Sequence, residues 1–214
     1  TWVRACGTRQ TLAKWKNMRG QHKFNLLHSV ASRADNDDVP GGDYVTAYEE
    51  VDIDDLFARR RRWSVEHVVP RSKVHGGEEA ESDPLGWIEA TPRANSRRSN
   101  HPLVLWRSAL PRGVHSLYGE LHYVPPERQR ARLARKWLFI RATYPDIDPP
   151  STAQLAHAAD ILRLAQEYPV QKAERRVNEE YRSLLQWANP LLEEGADAWY
   201  ANVRWRALIF GGRA

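Results

Sequence analysis

The helical periodicity of residues 126–144 is the feature that most constrains the fold of this chain. A large apolar side chain recurs there every three or four positions, as Leu133, Trp137, Ile140 and Tyr144. This spacing places the four side chains on one face of an α-helix. Pro126 suits the first helical turn, where its missing N–H group costs no hydrogen bond. The segment therefore predicts a long helix whose apolar face joins a core.

Two more helices are predicted after this one, and each has a recognisable end. Ser151 and Gln154 have the spacing of a capping box, which predicts a helix that begins there and runs to about residue 167. The dipeptide Tyr168-Pro169 would end it, because a residue before proline is disfavoured in helical conformation. A further helix is predicted over residues 170–188.

The first half of the chain has weaker patterns. Residues 9–34 have helical spacing, and residues 33–44 are predicted to form a loop because acidic and amide side chains precede a Pro-Gly-Gly run. Residues 44–53 are rich in Tyr, Val and Thr, which is typical of a strand or an extended segment. Residues 63–105 contain short runs interrupted by Pro and Gly. The pattern predicts a mainly helical chain with one small, irregular β region in the middle.

Cysteine content and length decide how such a fold can be held together. Cys6 is the single cysteine among 214 residues, so neither an intrachain disulfide nor a cysteine zinc cluster is available. A chain of this length can instead bury a core, and its 42% of hydrophobic residues favour a globular protein. No apolar run reaches the roughly 18 residues that a membrane-spanning helix requires. We predict an α+β fold in which residues 1–214 form one mainly α-helical domain.

Arginine-rich positive charge is the first indication of a partner. A formal net charge of +5 and a pI of about 9.5 favour polyanions, of which nucleic acid is the commonest. Four consecutive arginines stand directly before a short β-prone run: Arg59, Arg60, Arg61 and Arg62. They form either a solvated face or a surface that contacts phosphates, and their place beside the run favours the second interpretation.

The acid–imidazole pair Glu66-His67 in "SVEHVVP" has the chemistry that phosphodiester hydrolysis needs. A neutral histidine is the usual base for a water nucleophile, and a hard cation offsets the charge that develops on the leaving oxygen. Such a cation takes oxygen ligands from carboxylates and amides. If a strand continues through the pair, alternation puts the two side chains on opposite faces. If the strand ends there, which Pro70 would allow, both can face one cleft.

Asn95, in the downstream segment "TPRANSRRSNHP", is a second candidate ligand for such a cation through its amide oxygen. Arg97 and Arg98 follow it closely. If Asn95 begins a short helix, the two arginines lie on the next turn and can bind phosphate oxygens. An Asn in that position also suits a helix N-cap, and the two roles are compatible.

The segments "VEHVVPRS" and "TPRANSRRSNHPL" together resemble the endonuclease I family of ββα-metal nucleases, also called His-Me finger nucleases. The signature of that family reads Glu-His-x-x-Pro, followed by an Asn and then by Arg-Ser/Gly-Asn. The likeness continues into the C-terminal half, where "EYPVQKAERRVNEEYRSLLQWANPLL" is similar to the closing helix of the family. It covers roughly residues 60–192.

This resemblance implies a fold and a role for each matching residue. It implies a ββα-metal core over about 60–106 and C-terminal helices over about 126–190. His67 would be the general base that activates water. Glu66 and Asn95 would hold one divalent cation, which is Mg²⁺ in the first place and Mn²⁺ or Ca²⁺ as alternatives.

The resemblance also implies a reaction and a partner. Arg71 is the nearest candidate for the arginine that serves the scissile phosphate or the leaving group, with Arg97 and Arg98 beyond Asn95. The expected activity is metal-dependent endonucleolytic hydrolysis of DNA or RNA, with little sequence specificity because a small site reads the backbone. The family favours a secreted or periplasmic location. Neither a membrane partner nor an oligomeric state is indicated.

One departure from the family keeps other functions open. The family usually has Asp-Leu-His-Asn/His-Leu ahead of its Asn, whereas residues 83–87 here read "DPLGW" and lack the histidine. Their Pro and Gly predict an irregular second strand. A second hypothesis is therefore a nucleic-acid-binding module that has lost hydrolysis, and a third is a His-metal nuclease domain of the restriction or defence type. The tryptophans around the motif, Trp63, Trp87 and Trp106, are expected to form a small core rather than base-stacking platforms.

Overall fold

The structure is a computed structural model that describes most of the chain. The described residues are 21–35, 43–58, 63–74, 78–144, 147–193 and 196–201. They form a mainly helical fold, as the sequence predicts, with two small two-stranded antiparallel sheets where one β region was predicted. Three predictions lie wholly or partly outside the described residues: the first part of the 9–34 helix, most of the 33–44 loop, and the four consecutive arginines Arg59, Arg60, Arg61 and Arg62.

Two helices, α1 (Gln21–Ala34) and α2 (Ile53–Ala58), flank a tight turn where a strand or extended segment was predicted. Within residues 44–53 only a single bridge forms, between Val45 and Asp52. The Thr46 hydroxyl accepts a hydrogen bond from the Val51 N–H at 3.1 Å, and Glu50 takes a positive φ of 57°. The side chain thus closes the chain into a turn, which overrides the β preference of this segment.

A two-stranded sheet and the helix that follows it occupy the centre of the chain. Strand β1 (Ser64–His67) is followed by α3 (Glu78–Ser82), and strand β2 (Trp87–Ala90) then pairs antiparallel with β1. Helix α4 (Pro92–Arg98) comes directly after β2. The Thr91 hydroxyl caps α4 by accepting a hydrogen bond from the Ala94 N–H, and proline at the first position suits this start.

The "DPLGW" segment forms a compact turn and leaves β2 regular, so the predicted irregular strand is wrong. Asp83 caps a 3₁₀ turn over Pro84–Gly86, and its carboxylate accepts hydrogen bonds from Leu85 N–H at 2.9 Å and Tyr144 Oη at 2.8 Å. The Trp187 indole donates to the same carboxylate at 3.0 Å. The Val68 N–H bonds to the Gly86 carbonyl and extends the ladder beyond β1. Proline and glycine are therefore confined to the turn that precedes the strand.

A second hairpin, β3 (Gly113–Leu117) and β4 (Glu120–Val124), adds a β element that the sequence interpretation missed. Its connection is the pair Tyr118-Gly119, with φ values of 53° and 82°. Two residues in left-handed conformation are typical of the type I′ turn that joins tight hairpins. The alternation in "GVHSLYGELHYV" was the available signal, but Tyr-Gly is a weaker turn signature than Asn-Gly.

The central helix, α5 (Glu127–Thr143), agrees closely with the predicted 126–144 segment but is buried on nearly all sides. Two of its buried arginines are paired with acidic side chains inside the protein, and its other buried cations donate to backbone carbonyls. Arg132 donates to Glu89 of β2 at 2.8 Å, and Arg135 makes a bidentate pair with Glu174 at 2.9 and 2.7 Å. Paired charges let a helix with so many basic residues lie within the core.

The C-terminal helices are α6 (Thr152–Ala156), α7 (Ala158–Glu167), α8 (Lys172–Leu185) and α9 (Asp197–Tyr200). The capping box of Ser151 and Gln154 is confirmed, and so is the helix end at Tyr168. The predicted single helix is interrupted at His157, whose φ of −107° leaves the helical range and whose ring stacks on Trp106 at 4.4 Å. The stacking packs the His157 ring, at the break between α6 and α7, against the buried Trp106.

The core includes the three tryptophans that surround the central sheet. Trp63, Trp87 and Trp106 are all buried, so the predicted small core is confirmed. The sheet lies between α4, which contacts Ser64 and Glu66, and α5, which contacts Glu89. Within the described ranges, none of the helices has the length and apolarity needed to cross a membrane.

Gly86 is predicted to be essential for the close approach of the "DPLGW" turn to α5. A Cβ atom at this position would lie 2.8 Å from Cδ1 of Ile140. We expect Gly86→Ala to lower the free energy of unfolding by about 1–3 kcal/mol through overpacking. Adding Ile140→Val, which removes that Cδ1 atom, should restore part of the loss in chemical denaturation. A Gly86→Ala protein as stable as the wild type would contradict this packing.

Asp83 should make the stability of the fold depend on pH. Burial raises the pKa of its carboxyl to about 6, against the opposing effect of its hydrogen bonds and of Lys136. A raised folded-state pKa stabilises the fold below the unfolded pKa near 4, and this contribution is lost as pH rises through 6. The stability of the wild type relative to Asp83→Asn should therefore fall by about 2 kcal/mol between pH 4 and pH 7. Urea denaturation at several pH values measures this difference, and a constant difference would refute it.

Candidate active site

His67 is held as a neutral imidazole with one nitrogen committed to the backbone. Its Nε2 lies 3.0 Å from the carbonyl oxygen of Glu81, which also accepts the Trp87 indole N–H at 2.9 Å. A carbonyl can only accept, so Nε2 must be the protonated nitrogen and Nδ1 keeps its lone pair. Burial lowers the pKa of His67 to about 3, with further lowering by the charge of Lys23. The Nδ1 lone pair is thus left to accept a proton, but with so low a pKa the ring is a weak base until an anion such as a phosphate lies beside it.

Two cations lie next to this imidazole, and both are positioned by Glu81. The Glu81 carboxylate accepts Arg71 at 2.8 Å and lies 3.6 Å from the ammonium of Lys23. The Arg71 side chain is 66% exposed, so its guanidinium is accessible to a ligand. The structure thus places Arg71, predicted to serve the scissile phosphate, on the same side of the sheet as His67. Such a pair of cations would attract a phosphate.

Glu66 lies on the opposite face of β1, so the strand continues through the Glu-His pair. Its carboxylate is buried and forms an ion pair with Arg98 of α4. Burial raises the pKa of Glu66, and the charge of Arg98 opposes that rise. The register confirms the alternation, because Glu66 is opposite Ile88 whereas His67 is opposite Trp87. The two side chains do not face one common cleft.

Arg98 lies inside the protein, and this differs from the expected contact with phosphate. Its side chain is 1% exposed. Besides Glu66, it donates to the carbonyl oxygens of His67 at 2.9 Å, Val68 at 3.0 Å and His101 at 3.1 Å. The helical period explains the difference from Arg97, which is one residue away and exposed. Arg98 therefore holds the end of β1 against α4.

Asn95 lies in the middle of α4, so the expectation that it begins or caps the helix is wrong; Thr91 is the cap. The Asn95 amide nitrogen donates to the Ser64 hydroxyl at 3.1 Å. Ser64 and Glu66 are two positions apart on β1 and share one face. The structure therefore brings Asn95 and Glu66 to the same strand–helix interface, and the amide oxygen of Asn95 takes no part in the bond to Ser64.

The donor types at this interface are those of a hard divalent cation, although the buried Arg98 guanidinium already pairs with the Glu66 carboxylate. A carboxylate oxygen from Glu66 and an amide oxygen from Asn95 are the ligand types that Mg²⁺ prefers, with water completing its coordination. Among the residues that the structure describes, His, Cys, Asp and Glu side chains form no cluster of three or more that could hold a metal. The Glu–Asn pair is thus the best-matched donor set from the sequence analysis.

Sequence reasoning missed three participants in this site. The Glu81 carbonyl, which orients His67, is a backbone group that every residue type possesses, so no sequence signal identifies it. Lys23 comes from a helix far from the motif, and Ser64 is an unremarkable strand residue. Only the packing of α1, α3 and α4 around the sheet brings them together.

Comparison of the sequence with models of known protein families and with curated proteins finds no match. The likeness to the endonuclease I family therefore stays an expectation from the two motif segments.

The ion pair of Arg98 and Glu66 is predicted to stabilise the whole site. Arg98→Met leaves a buried carboxylate and three backbone carbonyls without a donor, so we expect a loss of about 3–5 kcal/mol in the free energy of unfolding. The matched control is Arg97→Met, because this neighbour is exposed, and it should change stability by less than about 0.5 kcal/mol.

A double variant separates charge from packing at the same pair. Glu66→Gln combined with Arg98→Met removes the unpaired charge, and it should be more stable than Arg98→Met alone in urea denaturation. Equal effects of Arg97→Met and Arg98→Met would show that the internal ion pair contributes little.

Proposed function

We propose that this chain is a divalent-metal-dependent endonuclease that hydrolyses phosphodiester bonds of nucleic acid with little sequence specificity. The observation that supports it most is His67, a neutral imidazole whose Nε2 proton is directed to a backbone carbonyl and whose Nδ1 lone pair is left as a base. The antiparallel pairing of β1 with β2, which are separated along the chain by α3 and followed by α4, supports the proposal. Arg71 and Lys23 supply positive charge beside this base.

In the proposed reaction, Nδ1 of His67 accepts a proton from the water that attacks phosphorus. The Glu81 carbonyl keeps the ring in the required tautomer and stabilises the imidazolium that forms. Arg71, exposed and held by Glu81, contacts a non-bridging phosphate oxygen or the leaving group. Glu66 and Asn95 would hold a divalent cation, and such a cation would supply charge stabilisation for the leaving oxygen.

The opposite faces of Glu66 and His67 are compatible with this proposal because of where β1 lies. In the described sheet, β1 has β2 as its one partner strand. Adjacent side chains on such an edge strand border the same free edge from its two sides. A phosphodiester that lies along this edge would meet His67 on one side. It would reach the buried Glu66 on the other side only by displacing Arg98, which binds both Glu66 and the His67 carbonyl there.

Nucleic acid is the proposed partner because of charge and of what the site can contact. The net charge of +5 favours a polyanion. In this proposal phosphates are contacted by Arg71, by Arg97 and by the four arginines Arg59 to Arg62. Phosphate contacts are independent of base sequence, so binding should weaken steeply as the salt concentration rises.

A second candidate is a binding module without hydrolysis, and one observation favours it. The Glu66 carboxylate, a proposed metal ligand, is already paired with Arg98. If that pair persists when nucleic acid binds, Glu66 is not free to hold a cation. Such a module would bind a duplex in a salt-sensitive manner, with or without a chelator.

Plasmid nicking with Mg²⁺ and with EDTA tests the proposed function. We expect Mg²⁺-dependent nicking that falls about 10²–10⁴-fold in His67→Ala, because general-base catalysis contributes that much. The matched control is His157→Ala, since His157 lies between α6 and α7 and stacks on Trp106. Asn95→Ala should raise the Mg²⁺ concentration needed for half-maximal nicking. DNA binding, measured by gel shift in EDTA, should persist in all of these variants.

Two results would decide against this mechanism. Wild-type nicking by His67→Ala would remove His67 as the base. A folded protein that shifts DNA but nicks it with none of Mg²⁺, Mn²⁺ or Ca²⁺ would favour the binding module.

A further inference from the structure

A cavity of about 350 Å³ lies on the outer side of α4, away from its contact with β1. Its walls come from α4, from the turn between Val45 and Asp52, and from the β3–β4 hairpin. The side chains that give it chemical character are Arg93, Arg97, Arg112, Tyr48, Glu49 and Tyr123. Its volume lies within the range of roughly 300–1,000 Å³ that is typical of small-ligand sites.

Three arginines make this cavity attractive to an anion. Arg93 and Arg97 are one helical turn apart on α4 and exposed, and Arg112 enters from the edge of β3, where it donates to the Tyr48 carbonyl at 3.2 Å. Like charges one turn apart on a helix repel each other. Within the described residues, neither Arg93 nor Arg97 forms an ion pair that would offset this repulsion. A phosphate group would do so.

One polar atom of the same cavity lacks a partner. The Oε2 atom of Glu49 is buried without a hydrogen bond among the described residues, although the side chain as a whole is only partly buried. The other carboxylate oxygen of Glu49 accepts the Thr91 hydroxyl. A buried acceptor without a donor is unfavourable. A ligand that carries an N–H or O–H group would satisfy Glu49. An anion that offers no donor would instead be repelled by its charge.

From these two observations we infer that the cavity binds one nucleotide unit. Its phosphate lies against Arg93, Arg97 and Arg112. A sugar hydroxyl or a base amino group donates to Glu49 Oε2. A nucleotide combines an anionic group with hydrogen-bond donors within one small molecule, and this combination matches the two kinds of polar group that the cavity presents.

The position of the cavity relates this unit to the candidate active site. Helix α4 presents Asn95 and Arg98 to β1 on one side and Arg93 and Arg97 to the cavity on the other. A strand that crosses α4 would thus reach the cavity a short distance from the bond to be cleaved. The assignment of this nucleotide to the substrate strand rests on the proposed function. The binding of a nucleotide in the cavity does not.

Binding of adenosine 5′-monophosphate to the full chain, measured by calorimetry in EDTA, tests the inference without any cleavage. Adenosine and inorganic phosphate are the comparison ligands. We expect the monophosphate to bind at least about tenfold more tightly than either, because only it engages both the arginines and Glu49. Equal binding of phosphate would overturn the nucleotide assignment, and equal binding of adenosine would overturn the role of the arginines.

Variants locate the binding. Arg93→Gln with Arg97→Gln should weaken binding of the monophosphate about tenfold or more. The control is Arg107→Gln with Arg163→Gln, which also removes two positive charges but lies at exposed ion pairs outside the cavity. An equal loss in both double variants would mean general electrostatic attraction and would overturn the site. Glu49→Gln should tighten phosphate and reduce the preference for the monophosphate over phosphate; an unchanged preference contradicts the role of Glu49.

The inference and the proposed function can fail separately. His67→Ala should bind the monophosphate like the wild type even where nicking is lost. Binding that depends on Arg93 and Arg97, in a protein that never nicks DNA, would reject the endonuclease and keep the nucleotide site. No binding of the monophosphate, in a protein that nicks DNA through His67, would reject the site and keep the enzyme.

Discussion

The buried guanidinium of Arg98 is the interaction on which the centre of this structure depends. It pairs with Glu66 and also binds three backbone carbonyls at the end of β1 and after α4. A planar group with several donors can join a strand, a helix and a loop at once, which a lysine in the same place could not do. The orientation of Glu66, the seating of α4 on the sheet and the path of the chain beyond His67 all follow from it.

A second set of polar contacts joins the sheet to the helices on its other face. The Asp83 carboxylate accepts hydrogen bonds from its own turn, from Tyr144 and from Trp187. Arg132 of α5 binds Glu89 of β2. The sheet of β1 and β2 is too small to bury much apolar surface by itself. Its position therefore depends on these buried polar bonds from neighbouring helices. Because His67 lies on this sheet, its position depends on them as well.

The helical half of the fold could be predicted from the sequence because its signals are local. The apolar spacing of α5 and the capping box at Ser151 act within one or two turns, and the structure agrees with both. The β3–β4 hairpin and the turn at residues 44–53 were missed or misassigned, because a single side-chain bond or a pair of left-handed residues determined them. The residue types of the candidate site were visible in the sequence, but their partners were not.

The order of residues made Glu66, His67, Asn95 and the arginines candidates, since the proposed hydrolysis of a phosphodiester needs a base, oxygen ligands and positive charge. Folding in three dimensions assigned the arginines to different tasks: Arg98 is internal, Arg71 lies beside His67, and Arg97 lines a separate cavity. The fold also places the Glu81 carbonyl against Nε2 of His67, and this contact leaves Nδ1 as the nitrogen with a free lone pair. The physical reason is that burial and hydrogen-bond partners depend on contacts between distant segments, whereas residue type and helical period are properties of the chain alone.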